Sequence, residues 1–398
     1  MKQRQIACLN AIAPTGLQQF KDHYEIITSP DEADAWLVRS APLHDVCLPD
    51  SLRAIARAGA GVNNIPLARC AEKGIVVFNT PGANANAVAE LVTAALVLSV
   101  RGIVSGIGWV RSLEAGASLA QQVEKGKSAF QGTEVRGKKL GVIGLGAIGY
   151  RVANDAVGLG MEVMGYDPMI TPQFAWQLSR SVQHTPTLDP MLEQADFITI
   201  HVPLNDKTRG MISADVIARM KEGAVLLNFA RAELVDEDAV GQALQAGRLR
   251  CYASDFPNEK NIHFPNAILT PHLGASTVES EDNCAEMAVR QLMDYLDNGN
   301  IENSVNYPAA SLGQLQPYQT RVVVLHRNVP GVISQVTTLF GENHFNIEHM
   351  VSSSREGYAC ALFDVSDKPQ RDFIMQLINA DEILKVRVIQ SNGNGANG

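Results

Sequence analysis

The chain has 398 residues, 46% of them hydrophobic and 19% charged, which is globular composition with length for two or three cored domains and excludes a disordered or fibrous chain. A formal net charge of −9 without a block of like charges excludes nucleic acid or an anionic membrane surface as the main partner. Six scattered cysteines (Cys8, Cys47, Cys70, Cys251, Cys284, Cys360) form no Cys-x-x-Cys pair, so neither a disulfide framework nor a metal site is expected. The first residues carry no sustained apolar stretch, and the longest nearly apolar run, Leu91 to Val100, falls far short of the ~20 residues of a membrane span. A cytoplasmic protein is expected.

Short apolar runs alternate with longer helical stretches almost from end to end. Ala35 to Val38, Leu52 to Ala58 and Ile75 to Phe78 read as elements of a first α/β unit. Val88 to Val100 then reads as one long buried helix, apolar around nearly its whole circumference. A second series begins at Lys139, with strands at Leu140 to Ile143, Glu162 to Tyr166, Phe197 to His201, Ala224 to Asn228 and Ile268 to Leu269. Strands alternating with helices imply parallel sheets covered on both faces. A helical stretch, Val278 to Leu296, closes this region, and Asn306 to Gln319, rich in Pro, Ser, Gly and Gln, reads as a linker. The pattern then restarts as strand, helix, two strands, helix, strand. The expected fold is therefore α/β: two doubly wound domains, Rossmann-like or flavodoxin-like, followed by a ferredoxin-like βαββαβ unit. The expected division is a discontinuous substrate domain (1–95 and 289–308), a nucleotide domain (96–288), a linker (309–319), the small terminal domain (320–391) and a disordered tail (392–398).

The sharpest local signal is Gly144-Leu145-Gly146-Ala147-Ile148-Gly149, preceded by an apolar strand and followed by a helix and a second strand ending in Tyr166-Asp167. In a dinucleotide fold Gly144 makes the tight turn, Gly146 lets the backbone approach the pyrophosphate, and Gly149 packs helix on strand. The helix N-terminus favours the diphosphate. Asp167 stands where an acid holds the ribose hydroxyls, and Pro168, Met169 and Ile170 supply no cation for a 2′-phosphate. NAD is the expected cofactor.

Three later segments, in order, are Asn228-Phe229-Ala230-Arg231, Phe256-Pro257-Asn258-Glu259 and Thr270-Pro271-His272-Leu273-Gly274-Ala275-Ser276-Thr277. Single arginines and histidines near strand ends are ordinary; their joint order after the glycine loop is not. These segments resemble the arginine, acid and histidine motifs of the D-isomer-specific 2-hydroxyacid dehydrogenases. The resemblance implies Arg231, Glu259 and His272 as the catalytic set. A guanidinium binds the substrate carboxylate in a planar fork, a histidine exchanges the hydroxyl proton, and a carboxylate orients the imidazole. It further implies cofactor contacts from His201, Val202, Pro203, Phe229, Ala230, Asp255, Gly274 and Ala275, beside Arg231, His272 and the glycine loop. Two departures stand out. Ala232 follows Arg231 where the family has glycine, which would strain a positive φ. In addition, either Asp255 has moved one place or Ser254 replaces the family's aspartate.

Upstream, Arg57-Ala58-Gly59-Ala60-Gly61-Val62-Asn63 resembles the family's substrate loop, implying substrate contacts from Arg57, Gly59, Gly61, Val62 and Asn63. Asn298 to Pro308 resembles the exit segment of the family's phosphoglycerate dehydrogenases, and the terminal unit resembles an ACT domain, a small-molecule regulatory module. NAD-dependent oxidation of D-3-phosphoglycerate, feeding L-serine synthesis, is the implied function. The alternatives are a dehydrogenase for another 2-hydroxy acid, such as 2-hydroxyglutarate, and a non-catalytic NAD-sensing protein. His326-Arg327-Asn328-Val329-Pro330-Gly331, and Asn346-Ile347 expected to open the second strand of that unit, resemble a serine-responsive site. His326, Asn328 and Asn346 are the implied effector contacts, and a homo-oligomer, dimer or tetramer, is the implied assembly.

Overall fold

The structure is a computed structural model that describes residues 3–390. The tail expected at 392–398 lies outside the described residues. The chain forms two compact units, one comprising residues up to Ala83 and from Glu281 onward, the other Asn84–Ser280.

The first unit contains a parallel sheet of β1 (Arg4–Cys8), β2 (Tyr24–Ile27), β3 (Ala35–Val38), β4 (Ala54–Arg57) and β5 (Val76–Phe78) in the order β2-β1-β3-β4-β5. This is the flavodoxin-like doubly wound order. On one face Trp36, Val38, Ile55 and Val77 form a core with Leu43 and Leu52. On the other, Leu37, Ala56 and Phe78 meet Val289, Leu292 and Tyr295 of the long helix Val278–Asn298.

The second unit carries β6 (Lys139–Ile143), β7 (Glu162–Tyr166), β8 (Gln183–His184), β9 (Phe197–Ile200), β10 (Ala224–Asn228), β11 (Leu249–Ser254) and β12 (Ala267–Leu269). All pair in parallel, in the order β12-β11-β10-β9-β6-β7-β8. The chain reverses direction across the sheet between β6 and β9, the switch point where such folds bind ligands. Side chains alternate between two cores. Val225 and Leu227 pack with Val88 and Val92 of the helix Ala85–Leu98, whereas Leu226 packs with Ile198, Ile217 and Val240.

The C-terminal module belongs to the first unit. Its antiparallel strands β13 (Thr320–Arg327), β14 (His349–Arg355), β15 (Tyr358–Val365) and β16 (Ile383–Gln390) lie in the order β14-β15-β13-β16. Val322 and Val324 pack under the helices Val332–Glu342 and Arg371–Ile378. The alternate residues Val323, Leu325, Cys360 and Leu362 share a core with Phe78, Tyr295 and Tyr307. Both faces of the inner strands β13 and β15 are thus buried, whereas the edge strand β14 is mostly exposed. At the start of the segment expected to be a linker, Tyr307 is fully buried, Ala310 nearly so, and Ile301 and Ala310 exchange backbone hydrogen bonds, whereas 311–319 carry no helix or strand and are mostly exposed.

Candidate active site

The glycine loop follows β6 at the carboxyl edge of the second sheet, and its three glycines differ in what surrounds them. Gly144 adopts φ +89°, and a Cβ there would lie 2.7 Å from the His201 carbonyl oxygen. At Gly149 a Cβ would lie 1.8 Å from the Gly144 carbonyl oxygen, so no side chain fits between turn and helix. A Cβ on Gly146 would meet nothing within 4 Å; it would project into open space above the loop. These are the conditions a pyrophosphate requires: a turn closed beneath, a bare backbone above and the N-terminus of the helix Gly149–Gly158 behind. Ala147 and Ile148 complete the turn, and the Ala147 carbonyl accepts from Arg151 Nη1 at 2.6 Å.

Asp167 follows β7. Its Oδ2 accepts from the Leu145 N–H and its Oδ1 from the Met169 N–H, each at 2.8 Å. A carboxylate has about four acceptor positions, so the two oxygens keep capacity for ribose hydroxyls. His201 follows β9, with Nε2 2.9 Å from Thr199 Oγ1, while Nδ1 is enclosed without a partner. Burial pushes its pKa down to about 3, so the ring is neutral at the mouth of the glycine loop. Val202 packs against Gly144, and the adjacent Pro203 is exposed.

The arginine turn follows β10. Asn228 is fully buried; its Nδ2 donates to the Arg231 carbonyl at 2.8 Å and its Oδ1 accepts from the Ala230 N–H at 3.2 Å. Phe229 and Ala230 are buried beneath the turn. Arg231 has extended backbone (φ −151°), and its Nη1 donates to the Ala230 carbonyl at 2.6 Å. Ala232 starts a short 3₁₀ turn without a positive φ, so alanine is unstrained there.

The histidine loop follows β12. His272 is exposed, adopts φ +56°, and meets the ring of Phe256 edge-on at 5.3 Å. Asp255, expected among the cofactor contacts, is 2% exposed and turns both oxygens onto this loop. Gly274 is buried beside it, with Ala275 at the loop's far end. Glu259 is exposed, and among the described residues no hydrogen bond or ion pair joins it to His272. Its loop is anchored through its neighbours instead: Asn258 Nδ2 and Asn261 Nδ2 donate to the Glu237 carboxylate at 2.7 and 3.1 Å. The structure therefore assembles the glycine loop, Arg231 and His272 along one sheet edge but does not close the expected carboxylate–imidazole pair. Sequence reasoning missed Asn228, Thr270 and Glu237 as shaping residues. The first two lie inside the quoted motifs, yet spacing does not tell which atom bonds to which.

In the first unit, the loop expected to touch substrate follows β4. Arg57 Nε donates to the Arg39 carbonyl at 2.9 Å, and its guanidinium lies 2.6 Å from where a Gly59 Cβ would sit. The Ala60 carbonyl accepts from Asn79 Nδ2 at 2.6 Å, and the Asn63 carbonyl lies 2.8 Å from His44 Nε2. Gly61 and Val62 stay half-exposed between these anchors. In the small module His326 is buried, its Nδ1 2.7 Å from the Arg327 carbonyl and its Nε2 without a partner. Asn328 Nδ2 donates to the Glu356 carbonyl at 3.0 Å. Asn346 does not open a strand; it is exposed in the loop before β14, three residues short of the first paired position, His349.

Residues 103–274 match the family model described as D-isomer specific 2-hydroxyacid dehydrogenase, NAD binding domain, and residues 320–381 match the ACT domain. The chain is 32% identical over 380 residues to a D-3-phosphoglycerate dehydrogenase of Haemophilus influenzae, covering 92% of this chain and 86% of that one. It is 37% identical over 321 residues to one of Methanocaldococcus jannaschii, covering 78% of this chain but 59% of that one, so it spans little more than half of that relative. Among solved structures, an NAD+-bound 3-phosphoglycerate dehydrogenase of Entamoeba histolytica superposes with a TM-score of 0.59 at 27% identity, over 76% of this chain and 99% of that one. With its nucleotide fingerprint, sheet order and motif order all in agreement, the chain belongs to the D-isomer-specific 2-hydroxyacid dehydrogenase family.

Proposed function

We propose that this chain oxidises D-3-phosphoglycerate to 3-phosphohydroxypyruvate with NAD, the entry reaction of L-serine synthesis. The observation that carries this reading is the placement of the glycine loop, Arg231 and His272 at one carboxyl edge of a single parallel sheet. The near full-length likeness to proteins named for this activity supports it. Gly144–Gly149 would hold the pyrophosphate of NAD, which would supply the hydride acceptor for C2 of the hydroxy acid. Arg231 grips the substrate carboxylate and draws electron density from the forming carbonyl. His272 takes the hydroxyl proton on a ring nitrogen in oxidation and returns it in reduction. Glu259 acts as its carboxylate partner once the loop Asn258–Asn261 brings it to the imidazole. Arg57 and the small residues after it supply backbone and side-chain donors to the substrate's anionic groups.

The ACT module binds an amino-acid effector, L-serine, on His326, Asn328 and Asn346. The unpartnered His326 Nε2 and the left-handed Gly331 (φ +93°), which opens the helix Val332–Glu342, support that site. A homo-oligomer is supported by the exposed stripe Val104, Ile107 and Val110 on the helix Ile103–Ser112. NADH consumption with phosphohydroxypyruvate, compared with 2-oxoglutarate, tests the activity. Preferential turnover of the phosphorylated acid supports the reading, and turnover of neither defeats it.

A further inference from the structure

Asp255 follows Ser254, the last residue of β11, and stands there as a buried carboxylate. Its exposure is 2%, and its backbone N–H is tied to the Asn228 carbonyl at 3.3 Å. Oδ1 accepts from Thr270 Oγ1 at 2.6 Å and from the Leu273 N–H at 2.7 Å; Oδ2 accepts from the Gly274 N–H at 2.7 Å. The three donors straddle His272. That residue holds a left-handed backbone (φ +56°), with its own N–H on the Thr270 carbonyl at 2.9 Å. A non-glycine residue holds this region only where its surroundings enforce it. Successive N–H groups following a left-handed residue form a concave anion nest, and here the Leu273 and Gly274 N–H groups close on the Asp255 carboxylate. The fit is tight: a Cβ on Gly274 would lie 3.1 Å from Oδ2.

Taking His272 as the acid/base, as proposed above, we propose that Asp255 is its positioning residue. The buried carboxylate enforces the left-handed turn at His272 and so fixes the direction in which the imidazole leaves the backbone. The aspartate works from beneath the loop, through the backbone of residues 270–274, and not from the cofactor side. Asp255→Asn replaces one acceptor with an NH₂ that faces an N–H donor, so the nest opens while the side-chain volume is kept.

The experiment is a kinetic cycle of wild type, Asp255→Asn, His272→Ala and the double variant. Phosphohydroxypyruvate reduction is followed by NADH absorbance, and NADH binding is measured separately by fluorescence. Asp255→Asn is expected to lower kcat about 10²-fold, the scale for a catalytic group displaced by an ångström, with NADH affinity within twofold of wild type. The double variant is expected to be no slower than His272→Ala, because the aspartate acts only through that ring. Losses that multiply in the double variant, or an Asp255→Asn enzyme whose defect lies in NADH affinity, overturn the proposal. Wild-type turnover in His272→Ala instead overturns the acid/base reading itself, which separates the two failures. Should Asp255→Asn not fold, Thr270→Val removes one donor of the three. A severalfold drop in kcat with unchanged NADH affinity supports the proposal, and an unchanged kcat overturns it.

Discussion

Asp364→Asn is expected to destabilise the first unit by about 3–5 kcal/mol, the cost of leaving a buried charge without its counter-ion. The magnitude follows from the surroundings of Arg321, whose side chain is 1% exposed and faces an Asp364 side chain 3% exposed. Every arm of the guanidinium is engaged. Nε donates to Asp364 Oδ1 at 2.6 Å and Nη2 to Oδ2 at 2.9 Å, a bidentate pair. Nη1 donates to the carbonyls of Asn298 and Gly313, each at 2.8 Å, and Nη2 also reaches the Leu312 carbonyl at 3.4 Å. An asparagine would turn an NH₂ toward the guanidinium and strip its charge partner in a place water does not reach. Replacing both partners, Arg321→Met with Asp364→Leu, removes the buried charges but leaves the Asn298 carbonyl unpaired, whereas the Gly313 carbonyl keeps Asn300 Nδ2 at 3.0 Å. That double variant should recover about 2 kcal/mol relative to Asp364→Asn, not compound its loss. Urea unfolding followed through Trp36, fully buried in the same unit, reads the effect as a midpoint lowered by about 1–2 M. An Asp364→Asn midpoint within about 0.3 M of wild type, or a double variant worse than the single one, would refute the reasoning.

Lys385 gives a pH-dependent counterpart: burial and the nearby Arg387 and Arg53 charges lower its pKa to about 8, while its Nζ donates to the Leu52 carbonyl at 2.7 Å. Below pH 8 the folded state carries a disfavoured cation, and between about 8 and 10.5 the unfolded state holds more protons, so this group's contribution makes stability rise with pH across that window. Lys385→Met should therefore gain about 2 kcal/mol at pH 7, after allowing for the lost hydrogen bond, with the gain shrinking toward pH 10 in denaturant titrations; a gain that grows with pH contradicts the sign. Asp167→Ala should weaken NAD binding and narrow the preference over NADP, because the anion that repels a 2′-phosphate is gone; titration of both cofactors by fluorescence checks it, and equal affinities in the wild type would overturn the assignment. L-Serine should inhibit, and Asn346→Ala should abolish the response; activity unchanged at millimolar serine would defeat the effector site.

Much of this architecture was legible because buried parallel strands are short apolar runs. Glu162–Tyr166 and Ala224–Asn228 fall at their expected bounds. β11 escaped notice since Arg250 and Ser254 interrupt its apolar character, although Cys251, Tyr252 and Ala253 are buried. In the segment 306–319, composition shows many polar and small residues but not that Arg321 reaches the Leu312 and Gly313 carbonyls or that Tyr307 Oη donates to the Ala71 carbonyl at 2.7 Å. At the site, the chemistry-bearing residues were visible as motifs, whereas backbone direction was not. Nothing in the letters announces that His272 is left-handed, that Ala232 is not, or that Asp255 points at the histidine loop, because successive side chains along a strand end point in opposite directions. Glu259 shows the converse: its position in the motif is recognisable, yet its loop is held by Glu237 through Asn258 and Asn261.

The most direct test of the dehydrogenase assignment is the turnover of His272→Ala with phosphohydroxypyruvate and NADH, measured beside its NADH affinity. Loss of about 10²–10⁴-fold in kcat with NADH binding retained is the predicted result, since the proposed mechanism assigns the substrate proton to the imidazole and the cofactor to the loop after β6. Wild-type kcat in this variant would contradict the assignment of His272 as the acid/base and with it the proposed mechanism.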